Sequence, residues 1–169
     1  LRRPSNNIED SMIIANARGF NSLVFLKDIE LGLGDNVENM LLYGINPILT
    51  TILIGDAANT ENCSIKKATV TGTLDNNTII EKSTIQDILY YNGETRNCTL
   101  QGTITLGGGA AAHIVDCVAG IPDGNPPVID LGGSGQSLSV RNYNGELTIR
   151  NKNGTDACSI NMNAGHLIL

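Results

Sequence analysis

The chain has 169 residues, enough for one domain that buries most of its apolar surface. It carries a formal net charge of −6, with 17% charged residues, 4% aromatic residues and no Trp. Nucleic acid and anionic membrane surfaces both reward clustered positive charge, so an acidic chain with 11 scattered Lys and Arg argues against either as a partner, and no apolar run approaches the roughly 18 residues that insert across a bilayer.

Ser5-Asn6-Asn7 offers an N-cap, and Glu9 and Asp10 follow in the first turn, where they meet the positive end of a helix. Ile8, Met12 and Ala15 recur at helical spacing, Ile14 lies beside that stripe, and Gly19 stands where a C′ glycine ends a helix. Residues 6–18 are therefore expected to form a short amphipathic helix, within a capping segment over 1–19. Strand-like segments follow at Ser22–Leu26, Ile29–Leu31, Asn39–Gly44 and Thr51–Gly55, with Asn46-Pro47 as a corner, because Pro47 has no N–H for a ladder.

The organising stretch is Asn97-Cys98-Thr99-Leu100-Gln101-Gly102-Thr103-Ile104-Thr105-Leu106. It reads as two short strands bent at Gly102, with Cys98, Leu100, Ile104 and Leu106 turned inward by alternation. A near copy begins at Asn62-Cys63-Ser64-Ile65, and Thr78–Ile85 lies between the two. The 35 positions from Cys63 to Cys98 equal about two turns of a β-solenoid, and such a period means stacked coils, each sealed by its neighbours. The expected fold is all-β: a parallel β-helix over 20–169 behind the short N-terminal helix. Gly107–Gly109 reads as a corner and His113–Val118 as the start of another turn. Gly120–Pro127 reads as a protruding excursion, and Val128–Leu131, Ser137–Arg141, Gly145–Ile149, Cys158–Met162 and Leu167–Leu169 continue the coil.

The four cysteines contain no close CxxC pair, which disfavours zinc. Cys63, Cys98 and Cys158 sit in similar triplets and are expected to be reduced, equivalent core fillers on one face of the coil. Asn62, Asn76, Asn97 and Asn153 open Asn-x-Ser/Thr triplets, which matter only in a glycosylating host.

Several stretches resemble β-helical structural proteins from the tail and baseplate region of tailed bacteriophages: Pro4–Asp10, Ala15–Gly19, Ala68–Asp75, Gly102–Ala110 and Leu138–Tyr143. The resemblance implies a non-enzymatic, rigid virion component that acts outside the cell, with other tail or baseplate proteins and a host surface glycan or receptor as partners. It also implies a homotrimer. It transfers no catalytic, cofactor-binding or metal-binding residue, and none is assigned.

A β-helix also carries polysaccharide-cleaving tailspikes and bacterial surface adhesins, so an enzyme must be weighed. Glycan cleavage needs clustered carboxylates; Asp116 and Asp130 fall near adjacent strands, with Asp87 and Glu94 in turns below. Acidic side chains on the outside of a coil are ordinarily just solvated, and fold alone licenses no activity. His113 and His166 lie at strand starts without a partner at a telling spacing, Gly107–Gly109 lacks the ending of a phosphate loop, and of the pair Tyr90-Tyr91 alternation leaves one ring outside. Arg141, Arg150 and Lys152 are too few for a nucleic-acid stripe. Because the chain opens without Met and closes on Leu167-Ile168-Leu169 in mid-strand, the native polypeptide is expected to continue at both ends.

Overall fold

The computed structural model describes residues 7–122 and 124–169, with the side chains at 90, 91, 108 and 110 outside the description. The expected N-cap residues Ser5 and Asn6, the Pro4–Asn6 part of the resemblance and the ring orientations of Tyr90 and Tyr91 therefore lie outside the described residues.

The helix α1 spans Ile8–Arg18. Asn7 is its N-cap, accepting the Asp10 N–H on Oδ1 at 2.7 Å, and Gly19 ends it in the left-handed region at φ 67°. Ala15 is buried, and Ile8 and Met12 are half-buried against the core of the coil, so the helix covers the first turn as its stripe predicts. Ile13 and Ile14 face solvent.

The rest is a β-solenoid of about seven turns, mostly parallel sheet. β1 (Ser22–Val24) and β2 (Ile29–Leu31) make the first turn, β3 (Leu41–Tyr43) and β4 (Thr51–Ile54) the second, and β5 (Ser64–Lys66) and β6 (Thr69–Leu74) the third. β7 (Thr78–Glu81) leads into two long strands that wrap round the coil, β8 (Thr84–Arg96) and β9 (Thr99–Val115). β10 (Val118–Ala119), β11 (Val128–Asp130), β12 (Ser137–Asn144), β13 (Leu147–Arg150), β14 (Ala157–Ala164) and β15 (Leu167–Ile168) follow.

Three faces result. The first stacks Leu42, Ile65, Ile80, Thr95, Ile114 and Val140 in register, the second Ile52, Val70, Ile85 and Leu100, and the third Ile54, Gly72, Ile88, Ile104, Ile129 and Ile149. All of these except Gly72 are buried and point inward, so the core is a set of parallel columns along the axis.

Where the first face bends into the second, Lys67, Lys82, Asn97, Asp116 and Asn142 stack with φ between 52° and 58°. Each of the first four donates its N–H to a carbonyl on the next turn: Glu81, Arg96, Val115 and Arg141 respectively. The corner is therefore left-handed at these five successive turns, though not at Gly44 one turn earlier, and the ladder absorbs its strain.

β9 bends at Gly107–Gly109, the corner read from the sequence: Gly109 takes φ 76°, the register with β8 slips between Leu106 and Ala111, and Ala111–Val115 then pair in register with Asn92–Arg96 on one side and Ser137–Arg141 on the other. One expectation changes, because the cysteine alignment was mistaken. Successive turns here advance from Ile65 to Ile80 to Thr95, so Cys63 stacks on Thr78 and, further along, shares its column with Cys158. Cys98 belongs to a different column, between Ser83 and Cys117. The recurring unit is a left-handed corner residue, a small residue, Thr and an aliphatic: Lys67-Ala68-Thr69-Val70, Lys82-Ser83-Thr84-Ile85, Asn97-Cys98-Thr99-Leu100.

Candidate functional site

A polar groove of about 240 Å³ lies where the second face meets the third, bounded on its far side by the excursion that follows β10. Its floor is the in-register pair Gln86 and Gln101, on neighbouring turns and therefore roughly 4.8 Å apart along the axis. Between these strands the register slips at Asp87, which takes a left-handed conformation (φ 48°). Such a slip re-aims a side chain out of the ladder, and the carboxylate of Asp87 is fixed by the Thr103 N–H donating to Oδ1 at 2.8 Å.

Two glycines make the enclosure possible. A Cβ on Gly102 would stand 2.2 Å from Asp87 Oδ1, and one on Gly120 would meet Thr99 Cγ2 at 2.6 Å and Gln101 Cγ at 2.7 Å. Glycine at 102 admits the carboxylate, and glycine at 120 lets the excursion leave pressed against the floor. Pro122, Asn125, Pro126 and Val128 complete the lining.

The carboxylates singled out in the sequence do not gather. Glu94 faces out from the first face and takes a hydrogen bond from Arg96, which also ends the ion-pair row Lys66–Glu81–Arg96. The Arg96 guanidinium holds the Glu94 carboxyl below its usual range. Asp116 sits at the left-handed corner and accepts from Asn142 Nδ2 at 2.9 Å. Asp130 lies on the third face, where Arg150 Nε and Asn151 Nδ2 each donate at 2.8 Å. Burial raises the Asp130 pKa, but the bonds from Asn151 and Arg150 outweigh it and the net shift is downward. Asp87 stands alone in the groove, and among the described residues no three His, Cys, Asp or Glu are placed to share a metal ion.

His113 was expected to lack a partner, yet the ladder places it between Glu94 and Ser139 on one outward row. None of the three is hydrogen-bonded to another within the described residues, and the strand N–H groups beside them are committed to the ladder, so the row has no donor pair for an oxyanion. Intervals of 19 and 26 residues hid this row from a reading based on local spacing. His166 is exposed near the end of the coil, and Arg141, Arg150 and Lys152 spread over different turns. The described helix is too short to cross a membrane.

All four cysteines are free thiols; Cys63, Cys98 and Cys117 are buried and Cys158 is half-buried. Burial pushes the Cys63 thiol up to about 11, and the hydrogen bond with Cys117, added to burial, raises that of Cys98. The same hydrogen bond holds the Cys117 thiol below its usual range, and the three buried thiols fill the core and bond to backbone carbonyls. Compared with protein-family models, curated proteins and solved structures, the chain matches none.

Proposed function

We propose that this chain is a non-enzymatic structural component of a bacteriophage tail or baseplate, a rigid rod on the virion that contacts other tail proteins and the host surface. The observation that carries the reading is the continuous parallel ladder that links β1 to β15, with register slips in three of its strand pairs, joined to the resemblance of Ala68–Asp75, Gly102–Ala110 and Leu138–Tyr143 to such proteins. A coil whose backbone groups are paired turn upon turn resists bending and exposes regular outer rows, which suits a spacer or a contact arm.

The rod is proposed to work as a homotrimer. An apolar ridge supports this: Val24, Leu26, Ile45, Ile48 and Leu49 are exposed at the corner between the first and second faces of the first two turns. Large exposed apolar patches mark protein contacts.

The test is incubation of the full chain with capsular and pectic polysaccharides, read by reducing ends and by unsaturated products. No turnover is expected. Robust turnover would replace the rod with a polysaccharide-degrading tailspike domain.

A further inference from the structure

We infer that the groove between the second and third faces binds a single uncharged sugar ring, with Gln86, Asp87, Gln101 and Asn125 as its hydrogen-bonding residues and Pro122 and Pro126 as its apolar wall. This deepens, and rests on, the host-contact part of the reading above.

Most of the polar atoms here make no bond within the fold. Elsewhere the coil spends its amides on its own turns: Asn46, Asn59 and Asn153 accept backbone N–H groups, and Asn142 and Asn151 reach neighbouring carboxylates. The carboxamides of Gln86, Gln101 and Asn125 make no hydrogen bond among the described residues, and Asp87 Oδ2 has no partner there either. Three unspent carboxamides and one unspent carboxylate oxygen thus line one small space.

Their chemistry selects the ligand. A carboxamide offers a donor and an acceptor side by side, and a carboxylate accepts at both oxygens, so each can grip two neighbouring hydroxyls. Pro122, Pro126 and Val128 give the C–H face of a ring something to pack on. One carboxylate is too few for a calcium ion, which takes six to eight oxygens, and it repels an anionic ligand. At about 240 Å³ the space falls below the roughly 300–1,000 Å³ of drug-sized pockets, which restricts it to about one ring.

The floor is also preorganised. Gln86 and Gln101 pair with one another in the ladder, and Asp87 is pinned by Thr103, so little backbone freedom is lost on binding.

The test uses saturation-transfer NMR on the full chain, with glucose, galactose, N-acetylglucosamine and glucuronate each at about 10 mM, a concentration suited to millimolar binding. At least one of the three neutral sugars should receive saturation, and glucuronate should not. The signal should vanish in the double variant Gln86→Ala/Gln101→Ala, with its melting temperature unchanged because both side chains make no bond within the fold. Asp87→Asn keeps an acceptor for Thr103 and removes the charge, so it should admit glucuronate. Silence from every neutral sugar, equal binding of glucuronate to the unaltered chain, or a signal that survives the double variant overturns the groove assignment. Immunoblotting of gradient-purified tailed particles tests the virion reading separately: a chain found on particles but silent toward sugars loses the groove and keeps the rod.

Discussion

Cys98 makes on its turn the bond that Ser83 makes one turn earlier. Ser83 Oγ donates to the Glu81 carbonyl at 2.9 Å and Cys98 Sγ to the Arg96 carbonyl at 3.2 Å, in each case two residues back across the left-handed corner. Cys117 repeats it with Val115 at 3.2 Å, and the Cys98 N–H approaches Cys117 Sγ at 3.4 Å much as the Ala68 N–H approaches Ser83 Oγ at 3.3 Å. The side chain bridges the bend, and either a hydroxyl or a thiol serves.

Cys98→Ser should therefore be nearly silent, within about 1 kcal/mol by denaturant titration, since a hydroxyl already fills this place at Ser83. Cys98→Ala removes the donor and adds no bulk, and should cost about 1–3 kcal/mol. Equal losses for the two variants would show that the bond to Arg96 does not matter.

At Gly72 one turn presses hard against another. A Cβ there would lie within contact distance of the Ile54 carbonyl oxygen and backbone, at a φ of +104° that side chains rarely adopt. Gly72→Ala should cost about 3 kcal/mol or more, or prevent folding. Gly109→Ala is the control: φ is +76° with nothing nearby, so only the backbone penalty of about 1–2 kcal/mol remains. Thermal melts of the pair should rank in that order.

Much of this was legible in the sequence, and its limits have physical causes. The helix could be read because Asn7, the Ile8/Met12/Ala15 stripe and Gly19 are local features. The inward set Cys98, Leu100, Ile104 and Leu106 could be read because strand alternation is local too. Register between turns is not local, and matching the chain on cysteine identity misaligned it. The left-handed corners at Lys67, Lys82 and Asn97, each followed by a small residue and Thr, carry the true phase; lysine is an unusual occupant of such a corner, which concealed it. The groove was missed for a related reason, as Gln86, Asp87, Gln101 and Asn125 come together only through stacking and the excursion.

Asp130 ties stability to pH. Its folded pKa is lowered, so it contributes stability that is present above the unfolded value of about 3.9 and is lost as pH falls through the folded value. Asp130→Asn should melt below the unaltered chain at pH 7, and the gap should close on titration below about pH 4. A gap that stays constant with pH would rule out this contribution.

The proposed trimer makes a claim on Ile48, which is 94% exposed on the apolar ridge. Light scattering at micromolar concentration should give three chains per particle, and Ile48→Glu should shift the mass toward one chain without lowering the monomer's own stability by more than about 0.5 kcal/mol. A monomer mass for the unaltered chain would count against the ridge as an interface.

The most direct test of the proposed virion rod is a cryo-electron reconstruction of the tailed particles released from cells that carry the gene for this chain. The account predicts a column of density in the tail or baseplate with turns about 4.8 Å apart, into which the left-handed corner at Lys67, Lys82, Asn97, Asp116 and Asn142 fits as one continuous edge. A complete particle map in which every tail and baseplate density is assigned to other chains would contradict it.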